Sequence, residues 1–163
     1  MARCLIIGCG CRGLALTREL QARGHVVRAT TRDERRAAAI RSAGAQAVIA
    51  DPEHVATLAP ALAQVGVVCL LLGSAQGGDE QLQALHGARL EALLGRLVDT
   101  TVRGVVYEAA GTVDSELLRS GASLVRSACE RSSIGHVLLC ADPADHERWP
   151  IEAASSVERA LLG

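Results

Sequence analysis

The chain has 163 residues, 49% of them hydrophobic and 21% charged, the composition of a globular domain rather than of a disordered or fibrous chain. Its formal net charge of −1 gives no basis for a nucleic-acid or anionic-membrane partner, and no stretch reaches the roughly 20 apolar residues of a membrane span. All 17 basic residues are arginine, so any chemistry that needs a lysine is excluded.

Strand and helix signals alternate along the whole chain. The apolar run Cys4-Leu5-Ile6-Ile7 reads as a first strand. It runs into Gly8-Cys9-Gly10-Cys11-Arg12-Gly13 and then into the helical pattern that starts at Leu14. A G-x-G-x-x-G turn between a strand and a helix is the dinucleotide fingerprint. Gly8 allows the tight turn, Gly10 lets the backbone approach a pyrophosphate, and Gly13 lets the helix pack closely. The helix N-terminus then offers free N–H groups and a partial positive charge to the phosphates. Arg12 adds a charge that favours phosphate, and Cys11 is a small side chain that such a loop tolerates.

After a stop at Gly24, His25 to Thr30 reads as the second strand. Asp33 is placed to cap a helix that runs through Ala43 and ends at Gly44. Ala45 to Ala50 is a third strand, and Val55 to Gln64 continues a helix begun at Pro52. The unbroken apolar run Val67 to Leu72 is a buried fourth strand. Gly73 to Gly78 forms a loop, and one long helix is expected from Asp79 to Thr100, with His86 solvated on it. Gly104 to Glu108 is the fifth strand. Ser115 to Ser133 is helical, with a break expected near Gly121. His136 to Cys140 is the sixth strand, and Ile151 to Leu162 closes the chain as a helix entered through Trp149 and Pro150.

This pattern predicts an α/β fold: a doubly wound, parallel six-stranded sheet in the order 3-2-1-4-5-6, formed by a single domain over residues 1–163. Ligands of such sheets sit at the carboxyl ends of the strands, which fixes the candidate cofactor residues. An NAD site carries an acid at the end of the second strand, about 20 residues past the glycines. Here the first charged residue in that region is Arg32, preceded by Thr31 and followed by Arg36 one helical turn on. Arginine there pairs with a 2′-phosphate, so the expected cofactor is NADP, with NAD as the alternative and Asp33 as its ribose ligand. Asp51 ends the third strand, either facing the adenine amino group or capping the next turn. Gly73 and Ser74 end the fourth strand, beside the cofactor ribose.

These residues resemble the short-chain dehydrogenase/reductase superfamily, in its extended and atypical epimerase/dehydratase-like branches. The resemblance lies in Leu5 to Gly13, Arg23 to Asp33, Ala43 to Asp51 and, more loosely, Val102 to Glu108. The glycine spacing departs from the extended branch, whose G-x-x-G-x-x-G pattern meets Ile7 at its first position. The resemblance implies a Tyr-x-x-x-Lys pair with a Ser or Thr, in which the lysine tunes the tyrosine as acid/base. Tyr107 is the one tyrosine here, Gly111 stands four residues on, and Ala109-Ala110 fill the serine position. The remaining catalytic candidates are Tyr107, Glu108 and Thr112, each of them weak. The expectation is therefore an NAD(P)-binding protein without reductase chemistry, acting as a sensor or accessory module. The alternatives are a small oxidoreductase or epimerase-like enzyme with a non-standard acid/base, and a cofactor-free structural domain.

Six cysteines, with no signal peptide visible at the N-terminus, read as reduced thiols of a cytoplasmic protein. Cys4, Cys69 and Cys140 fall in expected strands as core residues. Cys9 and Cys11 are two ligands where zinc needs four, so no metal site is expected. The expected partners are a dinucleotide, a possible small-molecule substrate and, through the apolar helices around residues 79–100 and 115–133, a possible homodimer.

Overall fold

The computed structural model describes all 163 residues. Six strands form one sheet: β1 (Arg3–Ile7), β2 (Val26–Thr31), β3 (Gln46–Ile49), β4 (Val67–Leu70), β5 (Gly104–Glu108) and β6 (Gly135–Leu139). They run parallel in the order β3-β2-β1-β4-β5-β6. The helices are α1 (Cys11–Ala22), α2 (Glu34–Ser42), α3 (Asp79–Leu85), α4 (Ala88–Leu97), α5 (Ser115–Ser132) and α6 (Trp149–Leu162). The fold class and strand order are those expected from the alternation of apolar runs.

Each sheet face has its own core, because alternate residues of every strand point to opposite sides. Leu5, Ile7, Val68, Leu70 and Val105 meet Leu85 of α3, the leucines of α4 and Val125 of α5. Cys4, Ile6, Val67, Cys69 and Val106 meet Leu16 and Leu20 of α1, Ile40 of α2 and Trp149, Ala153 and Val157 of α6. β4 is buried throughout and β1 from Cys4 to Ile7, as expected of the central strands of a doubly wound sheet. No helix is long and apolar enough to cross a membrane.

The structure corrects several expectations. The helix foreseen from Asp79 to Thr100 is two helices, broken at His86-Gly87. His86 is not solvated but 1% exposed. Its Nδ1 accepts the Tyr107 hydroxyl at 2.6 Å, and its Nε2 donates to the Leu72 carbonyl at 3.1 Å. That buried polar pair is worth more than one continued helical turn, because leaving either group unpaired costs its desolvation. Conversely, α5 is not broken at Gly121. A side chain there would collide with the Tyr107 hydroxyl, so this glycine gives room to the ring beneath. The segment from Val55 to Gln64 forms two short 3-10 turns, Val55–Leu58 and Pro60–Leu62, because Pro60 interrupts the donors of a regular helix. The fourth strand ends at Leu70, with Leu71 and Leu72 still buried as the chain turns over the sheet. Cys140 lies past the end of β6 and is exposed.

Candidate functional site

The carboxyl ends of β1, β2 and β4 surround a cleft of about 900 Å³. Its floor is the glycine turn. Gly8 has φ +89°, and a side chain there would collide with the Leu71 carbonyl, so only glycine fits. Gly10 is the N-cap of α1 and has no side chain to bond the helix's first N–H groups, and no acid lies in that first turn. The helix end is left open to an anion. At Gly13 a Cβ would press on the Cys9 sulfur at 2.9 Å, so this glycine seats α1 against the turn. Burial pushes the Cys9 thiol up to about 11, which makes it a packing residue rather than a thiolate.

The β2 side of the cleft carries two arginines and two acids. Thr31, Arg32 and Arg36 line it. Arg32 is 64% exposed and only loosely paired with Glu53 at 3.7 Å. Arg36 is half-buried and makes no ion pair. Asp33 also lines the cleft, but its Oδ1 accepts the Arg35 N–H at 2.9 Å and so caps α2. Asp51 does not line it. Its side chain accepts the Glu53 N–H at 2.9 Å and faces His54 at 3.2 Å, which is the capping role. Gly73 is likewise behind the wall, while Ser74 is part of it.

Of the expected cofactor residues, the cleft thus brings together Gly8, Gly10, Cys11, Arg12, Gly13, Thr31, Arg32, Arg36 and Ser74. It adds residues that the sequence had not singled out, Glu53, Gln76 and Gln81 among them, with Pro143 and His146 from the loop after β6. Their signal was topological: they follow the carboxyl ends of strands.

The side chain of Arg12 leaves the glycine turn and crosses to the other half of the sheet. Its Nη2 donates to Glu108 Oε1 at 3.0 Å, its Nη1 to Ser74 Oγ at 3.3 Å, and the guanidinium lies 5.4 Å from the centre of the Trp149 ring. Glu108 is wholly buried at the end of β5. The same Oε1 also accepts the Gly73 N–H at 2.8 Å, and Oε2 has no partner. Burial pushes the Glu108 carboxyl up, and Arg12 and the Gly73 N–H pull it part of the way back. Tyr107 is also wholly buried. Burial, with the neighbouring Glu108 charge, drives its phenol further up from an already high value. Thr112 sits on an exposed turn, where its N–H donates to Ser74 Oγ at 3.3 Å.

A family model described as NAD(P)H-binding matches residues 8–140. The chain belongs to the NAD(P)H-binding family. The match runs from the glycine turn to the end of β6, so it spans the elements that build the cleft. Solved structures share the fold of this NAD(P)H-binding chain at low identity. A protein from Bacillus halodurans described as an NAD-dependent epimerase/dehydratase is 20% identical with a TM-score of 0.65, covering 85% of this chain and 69% of that one. A Citrobacter sp. triphenylmethane reductase, solved with NADP(H), is 17% identical with a TM-score of 0.63, over 84% of this chain and 48% of its own. The UDP-N-acetylglucosamine 4-epimerase of Bacillus cereus is 11% identical with a TM-score of 0.64, over 85% and 53%. The chain spans about half the length of the latter two. No curated protein matches it at a significant level. Family and fold agree with the resemblance to epimerase/dehydratase-like members of the short-chain dehydrogenase/reductase superfamily.

Proposed function

We propose that this chain is an NADP-binding module that senses or presents the dinucleotide without carrying out the reductase chemistry of its superfamily. The cleft residues fit the group. The open N-terminus of α1 would hold the pyrophosphate, and Arg32 and Arg36 would hold the 2′-phosphate, with Thr31 beside them. Asp33, the one acid available to a ribose hydroxyl at this strand end, is already engaged in capping α2. When bound, NADP supplies hydride chemistry, but the residues of this chain supply no obvious acid or base for it.

The observation that carries the reading is the seal between the loops after β4 and β5. The Val113 N–H donates to the Gly73 carbonyl at 3.0 Å, the Thr112 N–H donates to Ser74 Oγ, and Arg12 bridges Ser74 to Glu108. The loop after β5, where the superfamily's serine and tyrosine would lie, takes no part in lining the cleft. An oxidoreductase or epimerase-like activity would have to use Tyr107, Glu108 or Thr112; Tyr107 and Glu108 are buried behind this seal, and Thr112 sits on its exposed turn, outside the cleft lining. We take residues 1–163 as one cofactor-binding unit working in the cytoplasm. A homodimer through α4 and α5 would have to rest on small and charged side chains, because Leu90, Leu93, Leu94, Leu97, Leu118 and Val125 are buried in the chain itself. Light scattering of the purified chain decides that point.

Titration with NADPH and with NADH, followed by nicotinamide fluorescence, tests the cofactor. NADPH should bind more tightly than NADH, and Arg32→Asp should weaken NADPH by about tenfold or more, the cost of roughly 1.4 kcal/mol of lost charge pairing. An unchanged preference in that variant refutes the assignment, and binding of neither dinucleotide at millimolar concentration favours a cofactor-free domain.

A further inference from the structure

We propose that the half of the cleft over β4 and β6 is a subsite for a second, small carboxylate-bearing ligand, whose carboxylate is taken by Arg12. The proposal rests on the cofactor reading only in placing both ligands in one cleft. Arg12 is held by groups from three other parts of the chain: Glu108 at the end of β5, Ser74 after β4 and Trp149 at the start of α6. Yet Glu108 holds it through one carboxylate oxygen only. A structural arginine–carboxylate pair is commonly bidentate, with two parallel hydrogen bonds. Here Oε1 takes both the arginine and the Gly73 N–H while Oε2 takes nothing. A guanidinium has five N–H donors, and two of them are engaged in the chain. The side chain is 23% exposed and lines the cleft, so the remaining donors are available to a ligand there.

The surroundings select the charge of that ligand. Both acids that line the cleft, Asp33 and Glu53, stand at the β2 and β3 ends. The β4–β6 half has none; it has Ser74, Gln76 and Gln81, with His146 one turn of chain ahead of the Trp149 ring on which Arg12 lies. An anion there meets a fixed cation, amide and hydroxyl donors and a histidine, and the one acid beside the guanidinium, Glu108, is buried outside the lining. The buried Glu108 acts as a positioning residue, fixing the guanidinium before the ligand arrives. A planar carboxylate matches the free edge of a guanidinium better than a tetrahedral anion does.

Trp149 is the sole tryptophan, so its fluorescence reports on Arg12 directly. Malonate, inorganic phosphate and chloride are titrated into the full chain, first free, then saturated with 2′,5′-ADP, then with NADP+. Malonate should give a saturable change in Trp149 emission in all three states, phosphate a weaker one and chloride none. Arg12→Met should abolish the change, and His146→Ala, which leaves the buried pair intact, should weaken malonate by about fivefold or more. The free-chain arm needs no cofactor, so it stands or falls separately from the NADP assignment. No saturable change in the free chain, or a change that His146→Ala leaves untouched, overturns the subsite. Displacement of malonate by NADP+ but not by 2′,5′-ADP also overturns it, because the anion held by Arg12 would then be the cofactor's own pyrophosphate.

Discussion

At the scale of single residues, the site is organised by one charge that the fold buries. Glu108 is wholly inside, and burial raises its carboxyl more than Arg12 and the Gly73 N–H lower it. The folded chain therefore holds the Glu108 proton to a higher pH than the unfolded chain does. Below the ordinary value of 4.5 both states are protonated and the contribution to stability is full. As pH rises the unfolded state ionises first, and stability is lost until the folded carboxyl ionises too. Glu108→Gln keeps an acceptor for Arg12 but has no such proton. The stability of the wild type relative to Glu108→Gln should therefore fall as pH rises above 4.5, measured as the difference between their urea midpoints. A difference that is flat, or that grows with pH, would show that the ion pair, and not burial, governs Glu108.

At the scale of elements, what one segment could say for itself was legible and what it owed to a distant partner was not. Asp33 and Pro150 marked their helix starts, and Gly8 to Gly13 marked the cleft floor, because caps and turns are local chemistry. The break at His86-Gly87 was hidden by the leucine spacing on both sides of it; its cause is Tyr107, 21 residues further on. The course of Arg12 was equally hidden, since Glu108 lies 96 residues away. Gly121 was taken as a helix breaker, yet it is a space that α5 leaves for the Tyr107 hydroxyl. This reverses an ordinary expectation. On an open helix face, Gly→Ala stabilises by up to about 1 kcal/mol. Here Gly121→Ala should destabilise by about 1–3 kcal/mol through overpacking, and the cost should shrink in a Tyr107→Phe background. Urea unfolding of the four proteins in that cycle measures both terms, and an alanine variant as stable as the wild type would contradict the packing.

At the scale of the whole molecule, the sheet divides the cleft into two halves of different character. The strand order puts β2 and β3 on one side of β1 and β4, β5 and β6 on the other. Cationic residues without strong partners gather on the first side, and a guanidinium pinned by a buried carboxylate stands on the second. A ligand that spans the crevice ties the halves together and binds the native state alone. At a free concentration of 100 times its dissociation constant, such a ligand adds about 2.7 kcal/mol of stability. For a chain of this size each kcal/mol moves the melting temperature by roughly 2–4 °C. NADPH should therefore raise Tm by about 5–10 °C at that saturation. 2′,5′-ADP, which fills only the β2 side, should also raise it, and a tenfold weakening by Arg32→Asp should remove about half of the effect of either ligand at the same concentration. Differential scanning fluorimetry at graded ligand concentrations reads this directly. If NADPH raises Tm and 2′,5′-ADP does not, recognition of the dinucleotide does not begin at Arg32 and Arg36. If neither raises it, the glycine turn is a packing device and the cofactor-free domain is the better account.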